Sequence, residues 1–153
     1  MKQIYILILM LLGINLCASA QQGLQINEVF KGKVVAKQYM QESLIKGDNM
    51  APYKLRLLHT AKFSANNSQR AKADALFNMD MNERISDDES NMEMESRDGF
   101  LYYAIVQLTD NEKGTHRYIC YQCKPKSTKF DITIVYMEGE ASLADLRKTF
   151  KKK

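Results

Sequence analysis

Cys120 and Cys123 form a C-x-x-C pair, with His116 four residues upstream and His59 as the second histidine of the chain. Thiols and imidazoles so spaced could exchange a disulfide or hold part of a zinc site. Both uses need the side chains to converge, yet the surrounding HRYICYQC reads as a strand. At a rise of about 3.3 Å per residue, His116 and Cys120 would lie about 13 Å apart, and the two cysteines about 10 Å apart on opposite faces. A disulfide needs Cα atoms within about 7 Å. Redox pairs usually open a helix, whose dipole lowers the thiol pKa, whereas Lys124-Pro125 follows this one. A single C-x-x-C is half a zinc site, so Cys120, Cys123 and His116 are weak metal candidates, and no cofactor is expected.

Tyr102, Tyr103, Tyr118 and Tyr121 fall on two strands expected to be neighbours, so an exposed row of rings could stack against a glycan or a peptide. The competing reading packs them under a helix with their hydroxyls at the rim. Asp80, Asn82, Arg84 and Ser86 begin the spacing of a calcium loop but place a cation inside it, and the glycine and distal glutamate of that loop are absent. The acidic run that follows reads as a solvated loop. No serine-hydrolase elbow, phosphate-cradling glycine loop or paired-carboxylate site stands out.

The elements that would position these residues follow from periodicity. Residues 24–30 suit a short helix, because Ile26, Val29 and Phe30 share a face, and residues 34–45 read as a strand ended by Gly47-Asp48-Asn49. In YKLRLLHTAKF, Tyr53, Leu55, Leu57, His59, Ala61 and Phe63 point one way, with Leu58 as the exception on the other face. His59 then reads as a core histidine bonded to a neighbour. Asn66, Asn67 or Ser68 can cap a helix running to about Arg84, with Ala73, Leu76, Phe77 and Met81 as its apolar stripe. Asp98-Gly99 predicts a two-residue hairpin turn, pairing Met94 with Tyr103 and Met92 with Ile105. Two more hairpins follow, through residues 110–114 and 124–128. Ser142 and Asp145 then open a closing helix with Leu143, Leu146 and Phe150 on one face. The predicted fold is α+β: a two-layer sandwich of a largely antiparallel meander sheet, with the central and C-terminal helices packed on one face.

Residues 1–20, MKQIYILILMLLGINLCASA, join a basic start to an apolar run and an Ala-Ser-Ala junction, the pattern of a cleaved secretory signal. The run is shorter than the roughly 20 residues needed to span a bilayer. Lipidation at Cys17 is disfavoured because Leu16 occupies the place where a small residue is needed. The expectation is a signal peptide over 1–20, a single domain over 21–153, export to the periplasm or cell surface, and no transmembrane segment after cleavage. Charge is uneven along the remaining chain: residues 21–79 hold nine basic and four acidic side chains, residues 80–98 hold two and eight, and residues 99–153 hold ten and six. The resulting +3 is too small to argue for nucleic acid.

The pattern FDITIVYMEGEASLADLRKTF, after a meander and an amphipathic helix, resembles small exported domains of unknown function abundant in Bacteroidetes. Its most recognisable part runs from Ile132 to Phe150: a hydrophobic strand, Glu138-Gly139, then a capped helix. The resemblance implies location and architecture and assigns no site residues. Taken together, these readings point to a non-enzymatic envelope or surface domain that binds an unknown protein or envelope component. A thiol or metal protein using Cys120 and Cys123 is the alternative.

Overall fold

The computed structural model describes Gln21 and residues 23–150, so the expected signal peptide lies outside the described residues. Six strands form one sheet in the order β1-β2-β6-β5-β4-β3, with β1 at Met40–Lys46, β2 at Leu55–Ala65, β3 at Met92–Arg97, β4 at Phe100–Leu108, β5 at His116–Lys126 and β6 at Lys129–Gly139. Every pairing is antiparallel. Among the described residues three α-helices accompany it, α1 at Asn27–Phe30, α2 at Asn67–Asp80 and α3 at Leu143–Phe150. The fold is α+β, as the periodicity predicts.

Local chemistry explains most of the boundaries. Asn66 accepts from the Gln69 backbone N–H at 2.9 Å while the Gln69 side chain accepts from the Asn66 N–H at 2.9 Å, which fixes the start of α2. Ser142 and Asp145 make the same reciprocal pair at 3.1 Å in each direction ahead of α3. Asp98 and Gly99 both take positive φ, 51° and 80°, so the β3–β4 turn is of the primed type that the dipeptide predicts. The expected strand over 34–45 is shorter in the structure, since a 3-10 turn at Lys37–Tyr39 precedes β1. The glycine turn at Gly47 opens a second 3-10 segment, Gly47–Tyr53, which takes Tyr53 out of β2.

Two irregularities change which side chains share a face. Between Leu55 and Leu57 the β2–β6 register slips by one residue. Leu55 therefore joins the core beneath α3, while Leu57, Ala61 and Phe63 join the core beneath α2. In the β3–β4 hairpin, Arg97 pairs with Phe100 and Ser96 with Leu101 as expected, but an extra residue at Tyr102 then places Glu95 opposite Tyr103. Met94 consequently faces Ala104 and Met92 faces Val106, where the ideal hairpin predicts Tyr103 and Ile105.

The sheet buries side chains on both faces. One core contains Ala73 and Phe77 of α2 with Ile119, Tyr121, Cys123, Ile132, Ile134 and Tyr136. The other contains Leu143 and Leu146 of α3 with Met50, Leu55, Ile105, Tyr118 and Met137. The central and closing helices thus lie on opposite faces, which differs from their expected placement side by side. The chain leaves β6 at Gly139, where the Glu140 and Ala141 N–H groups each donate to the Lys54 carbonyl at 2.9 Å. That anchor sends α3 to the face carrying Leu55. Among the described residues, no helix is long and apolar enough to cross a membrane.

Candidate functional site

The two cysteines behave as strand geometry requires. Cys120 is half-buried among residues of the α3 face, whereas Cys123 is buried in the core under α2. Both are free thiols, and the sheet lies between them. Burial pushes the Cys120 thiol up to about 12 and also raises that of Cys123, so neither is a ready thiolate at neutral pH. His116 does not approach either cysteine; its Nδ1 lies 2.9 Å from Asp110 Oδ1. His59 sits between Gln21 Oε1, 2.9 Å from Nδ1, and Glu42 Oε1, 2.7 Å from Nε2, with its ring stacked on Phe30 at 3.9 Å. The bonded neighbours are what its strand position predicts, but the ring is half-buried beside Phe30 and not part of the buried core. Among the described residues no three His, Cys, Asp or Glu side chains are grouped to hold a metal ion.

The four tyrosines do not form an exposed row. Tyr118 and Tyr121 are fully buried on opposite faces, because they stand an odd number of positions apart along one strand. Tyr118 donates its hydroxyl to the Ala141 carbonyl at 2.6 Å, securing the chain just before α3. Tyr121 donates to Asp74 of α2, and burial followed by that bond raises its pKa far above the ordinary phenol value. Tyr102, the extra residue of the β4 bulge, lies under the Arg97 guanidinium, 3.6 Å from the ring centre. Tyr103 faces the α3 side, where burial pushes its hydroxyl up to about 12.

In the acidic block, Asp80 turns inward, while Asp87 and Asp88 engage local partners and Glu83 and Glu93 reach arginines of other elements. Asp80 is buried and accepts the backbone N–H groups of Gln25 and Ile26 at 2.6 and 2.7 Å, capping the segment that leads into α1. Burial raises its pKa, and the two amide bonds oppose that rise. Arg84 pairs with Asp87, and Asp88 accepts the Ser90 N–H at 2.9 Å. Glu93 of β3 meets Arg147 of α3, with Oε2 3.0 Å from Nε. Asp80 and Asp88 therefore serve as caps, and Glu83 and Glu93 as tethers.

On the α3 face of the sheet, Cys120 and Tyr103 are joined by Gln122 and Thr133, polar residues that the sequence does not single out. Helix α3 is short, 8 residues, and covers only one end of that face. Beyond it, Tyr103, Ile105, Cys120, Gln122, Thr133, Val135 and Met137 line an open groove of about 180 Å³. Its floor is apolar, with the Gln122 amide and Thr133 hydroxyl as its outer row, since Gln122 pairs with Thr133 across β5 and β6. Pockets that enclose a drug-sized molecule run to about 300–1,000 Å³, so this space suits one or two inserted side chains. The detectable signal was the second parity of β5 and β6: Cys120, Val135 and Met137 are too apolar for a solvated face. That parity could not be used without the length of α3 relative to the sheet.

Comparison with curated proteins and with solved structures gives no match. A family model matches residues 13–150, the span containing every strand and helix described above. The chain belongs to DUF6108, a family of unknown function.

Proposed function

We propose that the chain is an exported, non-enzymatic interaction domain of the cell envelope or surface, and that the groove on the α3 face receives apolar side chains of a protein partner. The observation that carries this reading is the partly covered sheet face. Ile105 and Met137 are buried at the covered end, while Tyr103, Cys120, Thr133 and Val135 remain half-buried. Insertion of a partner's side chain would remove that apolar surface from water at about 25 cal/mol per Å². The polar row of Gln122 and Thr133 would orient it. Export rests on the pattern of residues 1–20.

A photo-crosslinking residue placed at Thr133 tests the groove, with Lys113 in the β4–β5 loop as the control position. The expected result is a discrete crosslinked species from intact cells at Thr133 only, lost when Val135→Arg fills the groove. Equal labelling from Lys113, or none from Thr133, would overturn the reading. So would turnover of a defined substrate by the purified chain that a single polar substitution abolishes.

A further inference from the structure

We propose that the β1 edge of the sheet pairs with β1 of a second copy of this chain, joining two six-stranded sheets about a two-fold axis at Leu44. Strand β1 lies at the end of the sheet and hydrogen-bonds to β2 alone. Its other side offers a row of backbone donors and acceptors, the feature through which sheets recruit another strand. Residues 41–46 are all exposed, and two of them are apolar, Leu44 at 48% and Ile45 at 38%. Leu44 lies on the α2 face, opposite His59, and Ile45 lies on the α3 face, opposite Leu58. Each face of a second strand laid here would therefore cover an aliphatic side chain.

Charge selects the partner and the register. In an antiparallel pair with its two-fold axis perpendicular to the sheet, residues of equal parity face each other. Centring the axis on Leu44 sets Leu44 against its copy and places Glu42 opposite Lys46 on both sides of the axis. Centring on Glu42 opposes two carboxylates. Centring on Ser43 sets Glu42 against Leu44, and centring on Ile45 sets Glu42 against Asp48. Among these registers only the Leu44-centred one matches opposite charges and like apolar groups. Glu42 already carries His59 on Oε1 and Lys37 on Oε2 at 3.1 Å, which holds its carboxylate in place on the α2 face. On the far edge, β3, Glu93 is tied to Arg147 of α3 and Glu95 to Arg97.

Analytical ultracentrifugation and native mass spectrometry of the purified domain read the association directly. A concentration-dependent dimer is expected for the native sequence. Leu44→Lys, which brings two cations together at the axis, should yield monomer with an unchanged circular-dichroism spectrum. Lys46→Glu should weaken the dimer by at least about tenfold. Glu42→Lys combined with Lys46→Glu should restore it, because the exchanged charges again meet as opposites on both sides of the axis. Leu44→Cys provides a readout independent of affinity, since a thiol at the axis lies opposite its own copy within disulfide reach and should oxidise to a covalent dimer. A native chain that stays monomeric throughout overturns the proposal. A dimer indifferent to Leu44→Lys and Lys46→Glu, or growth into open polymers through β1 and β3, overturns it equally.

Discussion

At the scale of single residues, the polar groups that look reactive in the sequence are committed to holding the chain together. Asp80 is the clearest case. Its carboxylate accepts two backbone N–H groups 54 and 55 residues away and fastens the N-terminal segment to the end of α2. Asp80→Ala should lower stability by about 3 kcal/mol in denaturant titration, because two amides lose a buried acceptor. Asp80→Asn, which keeps one acceptor oxygen, should lose less. His59 makes a pH prediction. Burial lowers its pKa below the ordinary 6.5, outweighing the attraction of Glu42. The folded state thus prefers neutral imidazole, and the unfolded chain takes up the proton first as pH falls. This contribution is complete above about pH 6.5 and is lost as pH falls from there through the lower folded-state value. The thermal unfolding midpoint of the native chain should fall between pH 7.5 and 5, and His59→Gln should show a shallower dependence. The cysteines give a chemical test: with both thiol pKa values raised by burial, alkylation at neutral pH should be slow until denaturant is added.

At the scale of elements, two capping boxes, a primed turn and two register slips decide the geometry. Asn66→Ala removes the acceptor for the Gln69 N–H and should cost about 1 kcal/mol, read as a lower midpoint with an unchanged denaturant slope. The end of β6 is less forgiving. A Cβ on Gly139 would stand 2.6 Å from Leu55 Cα and also meet the Lys54 carbonyl, both backbone atoms with little room to move. Gly139→Ala should therefore destabilise by at least about 2 kcal/mol and disturb α3, whose entry depends on the bonds from Glu140 and Ala141 to that same carbonyl. Tyr118, bonded to the Ala141 carbonyl from beneath, reports the same junction. Its loss in Tyr118→Phe should be milder, since the ring remains and one hydrogen bond goes.

For the whole molecule, the asymmetry between the two sheet faces matters most. Helix α2, with 14 residues and the segment over 24–35, closes one core, while the 8-residue α3 leaves part of the other face open. The proposed partner site and the proposed self-pairing edge are distinct. The groove centres on β4, β5 and β6, and the edge is β1, with β2 between them. Val135→Arg should accordingly abolish crosslinking through the groove without changing the sedimentation of the domain. Leu44→Lys should do the reverse, so the two surfaces can be separated by one pair of variants.

The amino-acid sequence determined the α+β class, the hairpin at Asp98-Gly99, both capped helices and the separation of Cys120 from Cys123, because each follows from local periodicity or from turn and cap chemistry within a few residues. It also supplied His59 as a histidine bonded to its neighbours. Tertiary structure decided the rest. The slips at Arg56 and Tyr102 each change which side chains share a face beyond them, and no local pattern records them, because a bulge is stabilised by the strands on either side. The burial of Tyr118 and Tyr121, the inward turn of Asp80 and the open groove likewise depend on which helix covers which face. Parity along a strand reports two faces, and only the packed helices decide how much of each meets water.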